Sequence, residues 1–280
     1  MSISTSDKLY YWGGHGNFGD ELSLYLVEKI SGRKYRLADK YANGKLVAVG
    51  SLLTPEIMRT DSRIWGTGTL TRHALDPERT PWFPLNRKFR AINPRGRRAK
   101  IFAVRGPLTR ESILNSGIDC PEIYGDPAIL MPRYFSPSST KRYPVGLILH
   151  HSQPTPSNAE AWLEHGIKLI PIQREGNAQI EAFVNDVHAC EKVLSTSLHG
   201  LIIAQCYGVP VRWVAVGSLP IHEDAEHKFL DYFLGAGQTA QEPETIGLDP
   251  ESIASTVERT TMPRILPFTM AKRLLDAFPD

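Results

Sequence analysis

Cysteine is scarce in this chain, with only Cys120, Cys190 and Cys206 among 280 residues. The count is odd, the spacing wide and no C-x-x-C pair occurs, which argues against a disulfide framework and against a thiolate zinc site. Long apolar runs are also missing: none approaches the roughly 18 residues that span a bilayer. The stretch Met1–Lys8 is polar and lacks the apolar core of a signal peptide, so the expected compartment is the cytoplasm. Neither sign of charge dominates. Lys plus Arg number 32 against 30 Asp plus Glu, a net charge of +2, so nucleic acid is not an expected partner. Solenoid repeats and low-complexity tracts are absent. What remains, 41% hydrophobic and 22% charged residues, is the make-up of an ordinary globular protein.

Short runs rich in Val and Ile alternate with helix-like segments. Strands are expected at Lys8–Trp12, Lys45–Gly50, Arg63–Gly66, Lys100–Val104, Glu122–Tyr124, Val145–His150, Lys168–Ile172, Lys192–Ser195 and Val211–Val216. Several are apolar on both faces, as parallel strands covered by helices are. Helices are expected at Asp20–Ser31, Pro107–Ser116, Ala178–Cys190, His199–Tyr207, Pro250–Thr260 and Phe268–Phe278. Pro107 stands where a helix begins and Gly117 where it ends. The alternation predicts a doubly wound α/β architecture. The Pro- and Ser-rich stretch Pro132–Tyr143 lacks a clear period. It suggests an N-terminal unit over 1–135 and a C-terminal unit over 143–280, whose last helices pack back on the first. A cleft between such units is a favoured ligand site.

Chemistry-bearing residues fall at the strand ends, where ligands bind in open α/β sheets. Ser195-Thr196-Ser197-Leu198-His199-Gly200 puts His199 at a strand-to-helix turn, where an imidazole can serve as acid or base. The amides of the new helix, with Ser197 and Gly200, can hold an anion. A turn whose histidine only caps or packs is the competing reading.

Near the N-terminus, Gly14, Gly16 and Gly19 form a G-x-G-x-x-G with Asp39 about twenty residues on. Asp20 and Glu21 would stand where a pyrophosphate should sit and repel it. A glycine loop bringing backbone, Asn17 and Asp20 to a polar ligand fits better. Thr67, in Gly66-Thr67-Gly68-Thr69, belongs to a second small-residue turn. Arg105, at a strand end before Pro107, suits a carboxylate or phosphate, or else an inter-domain salt bridge. Asp126 in Gly125-Asp126-Pro127 either orients a hydroxyl or caps the next segment. Arg87 to Lys100 carries seven basic residues and no acid, a run suited to an anionic headgroup or to a solvated loop. Lys228, Asp231 and Tyr232 either line a cleft or form a surface face. Neither His222-Glu223-Asp224 nor His150-His151 has the third ligand of a metal site.

Taken in order, Gly16-Asn17-Phe18-Gly19-Asp20, Val104-Arg105-Gly106-Pro107-Leu108-Thr109, Gly125-Asp126-Pro127 and Ser197-Leu198-His199-Gly200 resemble the polysaccharide pyruvyl transferase family. Lys228-Phe229-Leu230-Asp231-Tyr232 is similar to members acting on bacterial exopolysaccharides. The resemblance covers roughly residues 10 to 235. It implies a GT-B-like fold, two Rossmann-like halves facing a cleft. It also implies phosphoenolpyruvate as donor and, as acceptor, a sugar of a polyprenyl-diphosphate-linked glycan. By matching position Arg105 is the family's anion-binding arginine and His199 its active-site histidine. Many members carry arginine immediately before Leu-His-Gly, where this chain has Ser197. A second donor-binding cation must then come from elsewhere, such as Lys228, or from helix amides and the Ser197 hydroxyl.

Ketal formation needs an acid for the donor methylene, cations or amides for its carboxylate and phosphate, and a base for the sugar hydroxyl. His199 is the expected acid, Arg105 the anion clamp, and Asp20 or Asp126 the base. No metal and no separate cofactor is required. The rival readings are a nucleotide-sugar glycosyltransferase of the same architecture, a non-catalytic glycan-binding or assembly protein, and, more distantly, a nicotinamide oxidoreductase. Peripheral contact with the inner membrane through the region Arg87–Lys100 is the expected mode of meeting a lipid-linked acceptor.

Overall fold

A computed structural model describes residues 7–14, 16–76, 98–154, 156, 158–217, 224, 226–260 and 268–279. Two five-stranded sheets organise the chain, and every paired strand in them is parallel. The first holds β1 (Asp7–Tyr10), β2 (Tyr35–Leu37), β3 (Lys45–Val47), β4 (Ser62–Trp65) and β5 (Lys100–Ala103), in the order β2-β1-β3-β4-β5. The second holds β6 (Tyr143–Ile148), β7 (Ile167–Leu169), β8 (Cys190–Ser195), β9 (Val211–Val216) and β10 (Glu244–Ile246), in the order β10-β9-β8-β6-β7. Counted from its own first strand, each sheet therefore has the order 2-1-3-4-5. Strand order reverses between the first and third strands, and ligands bind outside the carboxyl ends at such a switch point. Here the switch points are β1/β3 and β6/β8.

The helices are α1 (Phe18–Ser31), α2 (Pro55–Met58), α3 (Pro107–Asn115), α4 (Ala159–Glu164), α5 (Asn177–His188), α6 (Leu198–Cys206), α7 (His227–Gly235), α8 (Pro250–Glu258) and α9 (Phe268–Asp276). A 3-10 helix runs over Pro127–Arg133. α1 shows why these segments form. The Asn17 side chain accepts the Gly19 amide at its start, Asp20 and Glu21 fill the first turn, and Gly32 closes it in the left-handed region at φ 67°.

Several expectations need correction. Glu122–Tyr124 forms only a single parallel bridge, Val104 to Tyr124, rather than a full strand. Cys190 begins β8 instead of ending a helix, because α5 stops at His188. The three-residue strands β2 and β10, the short helices α2 and α4 and the nine-residue α7 are additions that periodicity did not announce.

The two sheet units share an interior. One buried cluster includes Leu9, Phe18 and Leu22 from the first unit with Ile148, Phe183 and Leu201 from the second. Phe18 and Phe183 stack at 4.1 Å, and the Phe18 amide donates to the Ile172 carbonyl at 3.0 Å. The last helix returns to the first sheet: Trp65, fully buried, donates from Nε1 to the Leu274 carbonyl at 2.8 Å and packs edge-on against Phe278.

Candidate active site

β8 ends at Ser195, and α6 starts at Leu198 with Ser197 as its N-cap. The Ser197 side chain makes no capping hydrogen bond. The Ser195 hydroxyl fixes the turn, donating to the Ser197 carbonyl at 2.8 Å and accepting the Ser197 amide at 3.1 Å. The first-turn amides of α6 have no intrahelical acceptor, as at any helix start. His199, in that first turn, is brought to the β6/β8 switch point. Gly200 is demanded by packing: a Cβ there would meet the Ser195 hydroxyl at 2.6 Å and Ile148 at 3.0 Å.

The α1 start faces it. A Cβ on Gly19 would overlap the His199 ring, so only glycine lets the imidazole lie against this helix. Asn17 holds two groups at once, accepting the Gly19 amide at 3.3 Å and donating Nδ2 to Asp20 Oδ2 at 2.8 Å. Asp20 is buried, at the β1/β3 switch point. Burial pushes its pKa up to about 6, against the opposing pull of the His199 side chain, the Asn17 hydrogen bond and Lys228. Gly14 and Gly16 take positive φ, +81° and +62°, with open space beyond each Cα. The Gly14 backbone N–H serves Glu21, and the Gly16 carbonyl accepts the Arg174 amide. These glycines shape the loop that carries Asn17 and Asp20. His15, between them, lies outside the described residues.

Asp126 is completely buried at the start of the 3-10 helix, and Oδ1 accepts the Ala128 amide at 3.0 Å. Its other oxygen, Oδ2, lies 3.5 Å from His199 Nε2. Neither of those two buried atoms has a hydrogen-bond partner among the described residues. The capping alternative for Asp126 is therefore realised, and the same carboxylate also faces the imidazole. Its Oδ2 is turned to the imidazole and away from solvent.

Arg105 also departs from expectation. Its guanidinium is fully buried and committed: Nε donates to Asp231 Oδ2 at 3.0 Å, Nη1 to the Ser51 hydroxyl at 2.6 Å and Nη2 to the Thr69 carbonyl at 2.7 Å. Asp231 accepts in addition the Thr109 amide at 3.0 Å and the Thr109 hydroxyl at 2.6 Å. The anion at the α3 start is thus a side chain of the chain itself, and Arg105 forms the salt bridge between units that was its alternative reading. Thr67 is likewise committed, donating to the Gly50 carbonyl at 2.8 Å and accepting the Leu52 amide at 3.3 Å.

Lys228 is different. It is buried at the start of α7, and no described residue accepts a hydrogen bond from its ammonium. Burial pulls its pKa down to about 8, helped by Arg105 and opposed by Asp20. The structure thus gathers Asp20, His199, Asp126 and Lys228, with Asn17 bonded to Asp20. The side chains of Arg105 and Thr67 are committed to partners within the chain. What the sequence did not disclose is the Asp231 carboxylate as the partner of Arg105. Its only signal was an acid in the same stretch as Lys228.

Among the described residues no group of three or more His, Cys, Asp and Glu is placed to hold a metal ion. No described helix is long and apolar enough to cross a membrane. Most of the basic run, residues 87–97, and His222-Glu223 lie outside the described residues. His150 and His151 lie at the β6 end, their rings 4.2 Å apart, with His151 edge-on to Trp12.

Two parallel sheets with helices between the strands, and polar side chains collected at both switch points, define an α/β protein of Rossmann-like type. Residues 96–218 match the family model of polysaccharide pyruvyl transferases, the family whose motifs the sequence resembles. The matched stretch contains Arg105, Asp126 and the Ser197–Gly200 turn. The chain is 28% identical over 241 residues to an uncharacterised protein of Acanthamoeba polyphaga mimivirus, covering 83% of this chain and 76% of that one. A crystal structure of a functionally uncharacterised Klebsiella pneumoniae protein aligns with a TM-score of 0.43 and 12% identity, over 79% of this chain and 87% of that chain.

Proposed function

We propose that this protein is a pyruvyl transferase that builds a pyruvate ketal on a glycan sugar with phosphoenolpyruvate as donor. The carrying observation is the meeting of His199, from the second sheet, with Gly19 and Asp20 from the first, beside a buried ammonium lacking a hydrogen-bonded anion. In this reading the two sheets face each other across the reaction in a GT-B-like manner.

Phosphoenolpyruvate is a small anion with a nucleophilic methylene. His199 gives that carbon a proton, and the positive character then developing at the adjacent carbon is captured by a sugar hydroxyl. Loss of phosphate and attack by a second hydroxyl of the same sugar close the ketal. One proton is consumed at carbon and two are released from the hydroxyls. Asp126 holds Nε2, leaving Nδ1, on the α1 side, as the nitrogen that transfers the proton. Asp20, ionised above about pH 6, receives a hydroxyl proton. Lys228 and the α6 amides hold the carboxylate and phosphate. This assigns to Lys228 the second cation that Ser197 does not supply. The acceptor is a polyprenyl-diphosphate-linked sugar met at the cytoplasmic face of the membrane, with the basic run ending at Lys100 on the headgroups.

The test is incubation with phosphoenolpyruvate and lipid-linked oligosaccharides, following phosphate release and the mass gain of a pyruvate ketal. General acid–base catalysis by one residue contributes about 10²–10⁴-fold, so His199→Ala should lose on that order. Near-normal turnover by that variant would sink the mechanism. A thermal-shift comparison of phosphoenolpyruvate, a nucleoside diphosphate sugar and NAD should show stabilisation by the first alone.

A further inference from the structure

We infer that Arg105, Asp231 and Thr109 form a clasp that positions Lys228, so that Arg105 serves donor binding only through α7 and makes no contact with the donor. The inference rests on the role proposed for Lys228 and specifies how the chain holds that lysine in place.

α7 lies so close to the turn after β5 that a Cβ on Gly106 would overlap the Asp231 carbonyl, and one on Gly235 the Arg105 carbonyl. Close approach alone leaves a helix free to slide or rotate. The Asp231 carboxylate removes that freedom. It takes three hydrogen bonds from the first unit: Arg105 Nε, the Thr109 amide and the Thr109 hydroxyl. Arg105 is anchored in turn by Ser51 and by the Thr69 carbonyl, at the ends of two other strand connections. Gly68 permits this, since a Cβ there would overlap the guanidinium.

One turn before Asp231, at the start of α7, His227 bonds the Thr69 hydroxyl at 2.8 Å. Lys228 lies between these two fixed points, three residues before Asp231, its ammonium 5.7 Å from the centre of the Phe229 ring and without a hydrogen-bond acceptor among the described residues. Residues three apart share a helix face. Fixing Asp231 and His227 therefore fixes the direction in which Lys228 projects, toward Asp20. The ion pair also neutralises a guanidinium that would otherwise bear on the ammonium at full strength, since Arg105 already lowers the Lys228 pKa. A buried pair that sets geometry is a recognised use of such groups. The order of elements explains the economy: one contact ties the β5–α3 turn of the first unit to the helix that carries a cation to the shared site.

A direct donor clamp and a positioning clasp predict opposite signs for one substitution. Asp231→Asn removes the carboxylate that competes for Arg105. If Arg105 bound the donor, phosphoenolpyruvate would bind this variant more tightly. If the clasp positions Lys228, binding weakens by about tenfold while the acceptor KM stays within about twofold, a split that simple loss of stability does not produce. Calorimetric titration with phosphoenolpyruvate and initial rates read both quantities.

Should Asp231→Asn fail to fold, Thr109→Val removes one of the three bonds to Asp231 and leaves Arg105 and Lys228 unsubstituted. Weaker donor binding with the acceptor KM within about twofold supports the clasp. Unchanged donor affinity overturns it. Amide hydrogen exchange over residues 227–235, measured without donor, should quicken in Asp231→Asn and not in Lys228→Met. Unchanged exchange overturns the clasp. This last measurement is independent of the reaction: absence of phosphoenolpyruvate binding by the unsubstituted protein defeats the proposed function, while the exchange still judges the clasp.

Discussion

Asp20 shows what a single side chain bears at this site. A carboxyl whose folded pKa stands above its unfolded value favours folding while protonated. That contribution is complete below the ordinary value of 3.8 and is lost as pH rises through about 6. A shift of this size corresponds to roughly 2–3 kcal/mol. Asp20→Asn, which still accepts from Asn17, escapes the loss. Urea unfolding should therefore find the variant gaining roughly 2–3 kcal/mol on the unsubstituted protein between about pH 4 and pH 7; a gap independent of pH would show that Asp20 is not held against ionisation. Turnover should fall even as stability rises, the usual trade at a functional site. Asp126→Asn tests the neighbouring carboxylate. It keeps an oxygen for the Ala128 amide and removes the charge facing His199 Nε2. Outer partners that orient a working imidazole are typically worth about 10–100-fold, so kcat should fall by that factor with donor KM little changed. Initial rates at saturating donor decide it.

At the scale of elements, the two functional helix starts face one another through a glycine. Gly19→Ala places a methyl into the imidazole, and either the ring turns away or α1 shifts. Overpacking of this kind costs about 1–3 kcal/mol. The expected result is a Tm loss together with a turnover loss near that of His199→Ala; full activity would mean that the ring does not work from this position. Gly106→Ala is the stricter case, because the obstacle is the α7 backbone, which has no rotamer to change. Its destabilisation should exceed that of Gly19→Ala in the same chemical unfolding assay. Most strands and most of the longer helices were legible because they lie in apolar runs of four residues or more and because Pro107 and Gly117 mark helix ends; α7 was not. β2 and β10 were not, since neither lies in a longer apolar run. Glu122–Tyr124 misled for the opposite reason: its residues suit a strand, but it meets the edge of the first sheet through one bridge.

For the whole molecule, α9 returns to the first sheet across 209 positions of the chain. The Trp65 indole depends on the Leu274 carbonyl for its hydrogen bond and on Phe278 for part of its cover. Removal of residues 268–280 should lower the Tm by several degrees and red-shift Trp65 emission. Unchanged emission would mean that the indole finds equivalent burial without the helix. Apolar period and turn chemistry are local properties, so the pattern along the chain announced the alternation of strand and helix and the residues that stand at strand ends. It therefore brought His199, Asp20, Asn17 and Lys228 into view. How their charges are shared was set by packing. Arg105 finds Asp231 at 126 positions' remove, Asp126 turns to His199, and Lys228 is left without a hydrogen-bonded anion. Ion pairing between distant segments depends on which helix packs on which turn and on the glycines that let backbones touch. A local pattern carries the charge, but the packing of the fold selects its partner.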